Sequence, residues 1–337
     1  MSMKRLYNKP EAVVAEALEG MALLHPELLT LATDPTYVVR ADGVPQGHVA
    51  LVSGGGSGHE PMHVGFVGPG MLSAACPGEV FTSPTSDQVE AAARAADTGG
   101  GVLLIVKNYS GDVMNFEMAA ELLDADGVET GTVLVADDVA VEDSTYTSGR
   151  RGVGATVLVE KICGAAAEQG ADLATVVELG RRVCARSRSL GFALSGGTVP
   201  ATGRPGFELA DDEIEFGVGI HGEPGRERRP MEPVDALVER ALAAVLDDFP
   251  ADLLAGEPSV LLFVNSLGSA SPIECAIAAR AAVRDLSDRN IRVTRNLVGQ
   301  YMTSLDMLGL SLTVLVLDDE LTRLWDAPVR TAALRWD

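Results

Sequence analysis

Hydrophobic positions along the chain alternate between short continuous runs and helical spacing, and the sharpest changes of period fall at glycine-rich turns. Residues 47–53 (Gly-His-Val-Ala-Leu-Val-Ser) make a short buried strand that opens directly into a glycine loop over 54–61. A second unit repeats the pattern: an apolar strand over 101–107, a turn at 108–112, then residues 113–123, where Met114, Met118 and Leu122 recur on one helical face. A strand over 133–141 and helices over 153–169 and 172–186 follow. The strand pattern restarts near residue 188, over 189–194. Ile214, Phe216, Val218 and Ile220 then alternate with polar or small residues, the period of a half-buried strand that delivers His221 at its end into the loop 222–225. The tract 225–232, mixed basic and acidic, reads as a solvated loop. A helix over 233–249, a strand over 259–265, a helix over 272–288 and strands over 291–298 and 310–317 complete the series. This alternation predicts an α/β protein of two α/β domains, residues 1–187 and 188–337, each a mixed sheet covered by helices, with binding loops gathered at strand ends.

Composition agrees with that class and narrows the function. An apolar fraction of 47% with 4% aromatics and 36 glycines fits α/β layers better than an all-β fold. A formal charge of −22 leaves no basic stripe to replace the counterions of a nucleic acid, so nucleic-acid binding is not expected. The N-terminal segment, Met1-Ser-Met-Lys-Arg-Leu-Tyr-Asn-Lys-Pro10, is basic but is not followed by an apolar signal region, and no run reaches membrane-spanning length; a cytoplasmic protein is expected. Cys76, Cys163, Cys184 and Cys275 stand apart, without zinc-ligand spacing, and read as reduced thiols in or near the core. No metal site is expected.

Candidate chemistry concentrates at two of the five histidines. His59 and His221 both sit among glycines at the end of an apolar run, where the backbone can turn sharply and approach a ligand. His25, His48 and His63 lack that frame. The loop Gly54 to Gly58 is open to two readings: backbone N–H groups cradling a phosphate, or a tight turn for a strand crossover. It lacks the lysine of a nucleotide-binding loop, and His-Glu-Pro follows it in place of a helix start. Asp112 stands at a helix N-cap position, where capping and service as an ionised general base are compatible. Lys107 ends an apolar strand, and its ammonium needs a partner: a transferring phosphoryl group, or a local carboxylate. His221 is either a hydrogen-bonded core histidine or a neutral imidazole nucleophile. Glu60 and Glu223 read as loop-orienting carboxylates that hold backbone N–H groups.

Six stretches then carry a resemblance over nearly the whole chain: Ser53-Gly-Gly-Gly-Ser-Gly-His-Glu-Pro61, Cys76-Pro-Gly-Glu-Val-Phe-Thr-Ser-Pro84, Val106-Lys-Asn-Tyr-Ser-Gly-Asp-Val-Met-Asn-Phe116, Tyr146-Thr-Ser-Gly-Arg-Arg-Gly152, Glu215-Phe-Gly-Val-Gly-Ile-His-Gly-Glu-Pro-Gly225 and Leu324-Trp-Asp-Ala-Pro328. Together they resemble the substrate-binding K subunits of the dihydroxyacetone kinase family. The resemblance implies that His221 adds to the ketone carbon of dihydroxyacetone to form a hemiaminal, that Asp112 is the base for the terminal hydroxyl, and that His59 hydrogen-bonds the substrate. It places Gly56, Ser57, Gly58, Lys107 and Ser83 around the substrate. It also implies a homodimer that binds no cofactor itself. ADP or ATP with Mg2+ is expected on a separate L subunit, and a phosphotransferase-system M subunit recharges that nucleotide from phosphoenolpyruvate. A related ketose such as erythrulose, or a non-catalytic ketone-binding coactivator, are the alternatives. Ser195, where the family often has cysteine, and a short 249–258 region depart from the usual pattern.

Overall fold

A computed structural model describes residues 5–141 and 148–337. The first sheet is built from β1 (Leu29–Thr33), β2 (Thr36–Arg40), β3 (Ala50–Ser57), β4 (Ala74–Val80), β5 (Val102–Lys107) and β6 (Thr130–Val135) in the order β1-β2-β4-β3-β5-β6. β4, β3, β5 and β6 run parallel, and the β1–β2 hairpin joins antiparallel at the edge. Helices α1 (Val13–Leu24), α2 (Ser86–Ala96) and α3 (Ser110–Ala125) accompany it, followed by α4 (Ala155–Glu168) and α5 (Leu173–Ala185).

Chain passage to the second sheet falls at β7 (Ser187–Ala193). A two-residue ribbon, β8 (Thr198–Val199) with β9 (Arg204–Pro205), precedes β10 (Glu213–Phe216) and β11 (Glu227–Pro230). Helix α6 (Val234–Asp247), β12 (Ser259–Ser266), α7 (Pro272–Asp288), β13 (Arg292–Gly299) and β14 (Gly309–Val316) complete the sheet, ordered β11-β10-β7-β14-β12-β13. Only β12 and β13 are parallel there. The chain ends with α8 (Asp319–Asp326) and a small ribbon, β15 (Val329–Arg330) with β16 (Arg335–Trp336). Both sheets are therefore mixed and helix-covered, as the periodicity predicts.

Helix α4 decides how the halves meet. Its residues Ala155 to Ala167 are all buried, because it packs on β3 and β5 and also touches β7, and one hydrophobic core runs from Leu51 and Ile105 through Val157 and Ile162 to Phe263 and Leu315. Asp137 fixes its start: the carboxylate accepts from Val153 N and Ala155 N, both at 2.8 Å, doing the work of an N-cap from outside the helix. The C-terminal segment turns back to the first half, where Lys161 Nζ donates to Leu324 O at 2.9 Å and Arg330 N to Pro69 O at 2.9 Å.

Several sequence expectations change. The predicted 54–61 loop is strand as far as Ser57, where β3 pairs with β4 from Val52↔Ala74 to Ser57↔Val80. The glycines serve close packing, since a Cβ on Gly54 or Gly56 would strike the backbone of Cys76 or of Phe81 and Thr82. The strand predicted to reach Ile220 stops at Phe216, where Gly217 takes φ 82°, yet Val218 and Ile220 remain buried. The 225–232 tract contains an edge strand, β11, whose charged side chains suit an exposed edge. The strand predicted over 133–141 ends at Val135. On α3 the Met114, Met118 and Leu122 face is exposed, whereas Phe116, Ala119 and Leu123 face the sheet. Apolar spacing identified the helix but not its buried side. The elements α1, α2, α8, β1, β2 and β4 and the short ribbon strands β8, β9, β15 and β16 are additional to those read from the sequence. No helix among the described residues is long and apolar enough to cross a membrane. Tyr146 and Thr147 of the quoted motifs and Met1 to Lys4 of the N-terminal segment lie outside the described residues.

Candidate active site

The segments after β4, β5 and β10 converge on a cleft of about 550 Å³ lined by Phe81, Thr82, Ser83, Tyr109, Ser110, Gly111, Asn115 and His221. His221 arrives on the short segment after Gly217. Glu223 holds it there: one carboxylate oxygen accepts from His221 N at 2.9 Å and the other from Arg151 Nη1 at 3.1 Å. Arg151 is fully buried and also grips Asp138 and the Gly217 carbonyl, at 2.7 and 2.8 Å. Burial lifts Asp138 to about 6 against the opposing pull of Arg151. Glu223 thus orients a loop, as its position predicted. Replacing it with Gln should lower stability by about 1.5–3 kcal/mol, the usual contribution of a hydrogen bond to a charged group. Urea unfolding measures that loss, and unchanged stability would remove Glu223 from this role.

His59 faces His221 from the glycine side, fully buried, with Nε2 of the two rings 3.2 Å apart and the rings edge-to-face at 4.8 Å between centroids. His59 Nδ1 lies 2.8 Å from Thr303 O. A carbonyl oxygen only accepts, so Nδ1 carries the proton and Nε2 offers a lone pair to the Nε2–H of His221. Burial pushes His59 down to about 3, and the Lys107 charge adds to the effect. His221 is also driven well below the ordinary imidazole range, first by burial and then by His59, Lys107 and Arg151. Both rings are therefore neutral at pH 7, the state in which a ring nitrogen is nucleophilic. Tyr109 packs its ring edge on His221 at 4.2 Å, and Phe81 stacks on His59 at 5.4 Å. Neither is singled out by the sequence as a site residue, although both lie inside the quoted stretches 76–84 and 106–116.

Asp112 is not the N-cap. Tyr109 occupies that position, and Asp112 sits inside the first turn of α3, nearly fully buried. Burial raises its pKa, opposed by Lys107 and by a hydrogen bond from Ser83. Lys107 Nζ lies 3.7 Å from Asp112 Oδ2. Lys107 is wholly buried behind the glycine strand, where its Nζ donates to Gly54 O at 2.6 Å and a Cβ on Gly55 would collide with it. Of the two partners the sequence left open for Lys107, the local carboxylate is present.

The predicted glycine loop divides between two sides. Gly58 is engaged at both ends, its N–H by Glu60 at 3.0 and 3.1 Å and its carbonyl by Leu305 N at 2.8 Å. Ser57 Oγ donates to Gly78 O at 2.7 Å. Gly56, Ser57 and Gly58 line a separate, largely apolar cavity of about 460 Å³ beneath α1, while Ser83 lines the cleft. His63, set aside in the sequence reading, lies against Lys107 at 2.7 Å through Nε2 and against Glu160 Oε1 at 2.6 Å through Nδ1. Glu160 had a detectable signal: with Lys161 it interrupts an otherwise apolar or small-residue helix. Cys76, Cys163 and Cys275 are buried and Cys184 is half-buried, all as free thiols. No cluster of three or more His, Cys, Asp or Glu side chains suited to a metal ion occurs among the described residues.

Fold and site together define a two-sheet α/β protein whose cleft pairs neutral histidines with a buried carboxylate and lysine, a set suited to capturing a small polar molecule and moving protons on it. The chain belongs to the Dak1 domain family, which it matches over residues 19–333. It is 49% identical to the PEP-dependent dihydroxyacetone kinase, dihydroxyacetone-binding subunit DhaK, of Escherichia coli K12, over 99% of both chains. Among solved structures it is similar to the dihydroxyacetone kinase operon co-activator Dha-DhaQ, with a TM-score of 0.88, 32% identity and 94% and 96% of the two chains covered. It is similar also to the dihydroxyacetone kinase of C. freundii in complex with AMP-PNP and Mg2+, with a TM-score of 0.85 and 36% identity, covering 98% of this chain and 60% of that one.

Proposed function

We propose that this chain is the dihydroxyacetone-binding, catalytic subunit of a phosphoenolpyruvate-dependent dihydroxyacetone kinase. The observation that carries the reading is the 3.2 Å approach of the two imidazole Nε2 atoms at the wall of a cleft next to a buried carboxylate. His221 adds to the ketone carbon: its Nε2 proton passes to His59 Nε2, the N–C bond forms, the C=O π bond opens, and His59 returns the proton to the new alkoxide. The product is a neutral hemiaminal. Polyols such as glycerol lack the carbonyl and are not captured, a discrimination that hydrogen bonds to hydroxyl groups would make poorly. Asp112 then accepts the proton of the terminal hydroxyl as that oxygen attacks phosphorus, with Ser83 and Lys107 holding the carboxylate. Gly56 and Gly58, which line the cavity beneath α1, reach the substrate position through Phe81, on which they pack, and Ser57 lies between them.

In this reading the phosphoryl donor, ADP or ATP with Mg2+, sits on a separate L subunit that an M subunit recharges. The similarity to a longer kinase complexed with a nucleotide analogue, of which this chain covers 60%, supports that division. The chain acts as a homodimer in the cytoplasm. A ketone-binding coactivator is the second reading, favoured by the 0.88 TM-score to an operon co-activator; a coactivator needs neither Asp112 nor turnover. Reconstitution with L and M partners decides between them, with phosphoenolpyruvate-driven formation of dihydroxyacetone phosphate expected. Absence of turnover despite ketone binding would favour the coactivator, and turnover of erythrulose alone would change the substrate.

Capture also has a pH signature. Because burial holds both imidazoles below the ordinary range, with His59 at about 3, lowering the pH from about 8 to about 5 does not protonate them. Adduct formation, followed by intact mass, is expected to stay level across that range. A fall centred near 6.5, the unperturbed imidazole value, would contradict the buried neutral pair.

A further inference from the structure

Behind the cleft, three buried ionisable groups form a continuous hydrogen-bonded line: Glu160 Oε1 to His63 Nδ1 at 2.6 Å, and His63 Nε2 to Lys107 Nζ at 2.7 Å. Glu160 and Lys107 are fully buried, and His63 is nearly so. Each contact needs one donor and one acceptor, and a neutral imidazole has one of each. Among the arrangements that meet it with a neutral imidazole, two are related by moving every proton one step along the line. In one, a carboxylic acid at Glu160 donates to Nδ1, and Nε2–H donates to a lysine amine. In the other, a lysine ammonium donates to Nε2, and Nδ1–H donates to a carboxylate. They hold the same number of protons.

We propose that Glu160, His63 and Lys107 are a buried proton relay that converts Lys107 from amine to ammonium when negative charge arrives beside Asp112. The Glu160 O–H bond breaks as an Nδ1–H bond forms, while the Nε2–H bond breaks as an Nζ–H bond forms. No proton enters or leaves, so the change needs no contact with solvent. Burial favours the arrangement without charges, and it pushes the two ends in the matching directions, Glu160 up to about 8 and Lys107 down. Asp112 pulls the other way. The charged and titratable groups facing Lys107 are His63 and His59 from the segment after β3, Asp112 from α3, Glu160 from α4 and His221 from the second sheet's loop. Glu160 also meets Ser53, and its second oxygen, Oε2, is buried without a hydrogen-bond partner, consistent with an uncharged resting carboxyl. Glu160 and His63 are thus positioning residues, acting on the reaction only through Lys107.

The inference rests on the kinase reading for its catalytic consequence but not for its chemistry. Infrared difference spectra of the isolated chain, wild type minus Glu160→Gln, are expected to contain the C=O stretch of a protonated carboxyl at neutral pH. Carboxylate bands alone would overturn the relay. In the reconstituted kinase, Glu160→Gln should lower kcat by about 10²-fold with a smaller change in KM. The variant should also gain a decline in kcat with rising pH that wild type lacks, since its Lys107 must now take its proton from solvent. Equal kcat and superimposable pH profiles would likewise overturn the proposal, because a merely structural glutamate changes no profile. His63→Gln interrupts the same line and is expected to give the same new decline, which covers a Glu160 variant that fails to fold. A wild-type chain that shows the protonated carboxyl but no turnover removes the kinase reading and leaves the relay.

Discussion

Asp112→Asn is expected to abolish nearly all turnover, by about 10²–10⁴-fold in kcat, while the ketone adduct on His221 still forms. The argument is geometric. Asp112 occupies the first turn of α3, almost without solvent, where burial raises its proton affinity above that of an ordinary carboxylate while Lys107 and Ser83 stop it from rising further. Burial makes this carboxylate a stronger base than an exposed one, suited to taking a hydroxyl proton in the transition state. Asparagine keeps the shape and can still accept from Ser83, but it has no basic site. Steady-state assays with the nucleotide-bearing partner measure the loss, and intact mass measures capture. Turnover within tenfold of wild type would take the proton-transfer step away from Asp112. A variant that also lost capture would mean that the substitution disturbed the cleft.

His221→Ala has the second largest expected effect. Without the ring no adduct forms, and the remaining pocket must separate a ketone from an alcohol of nearly equal size by hydrogen bonds alone. Holding the terminal hydroxyl in line for attack is the main contribution of capture to rate, so kcat/KM for dihydroxyacetone should fall on the order of 10³-fold. Discrimination against glycerol should shrink to within about tenfold. Competition assays with the two substrates read this directly. A variant that still rejects glycerol as wild type does would remove covalent capture as the source of specificity. Because Tyr109 and Phe81 pack on His221 and are themselves anchored by α3 and by β4's end, the truncation leaves a void in the cleft wall without breaking an ion pair. Any loss of stability should therefore be modest beside the loss of function.

The sequence carried more of the chemistry than of its placement. Lys107 was visible because an ammonium at the end of an apolar strand needs a partner, but period and spacing do not reveal that the partner is Asp112, five residues on and one helical turn away. The triple glycine was visible as a place of close approach, yet what approaches it is Lys107 from behind and the β4 end from the side. Nothing around His63 in the sequence marks it as a site residue. Its partners, Lys107 and Glu160, are 44 and 97 residues away and meet it only where β5 and α4 pack together. The Met114 face of α3 shows the same limit: helical spacing does not say which side meets a sheet until the sheet is there.

By itself the sequence determined the α/β alternation and the two glycine-framed histidines, because strand and helix periods and glycine's backbone freedom are local properties of consecutive residues. It also carried the motifs that tie the chain to its family. Only the tertiary structure decided that His59 and His221, 162 residues apart, meet through their Nε2 atoms, and that both are neutral. It also decided that a buried line of proton carriers stands behind the cleft. Burial and the distance between charges fix protonation states, and both quantities exist only once the two sheets have closed around α4.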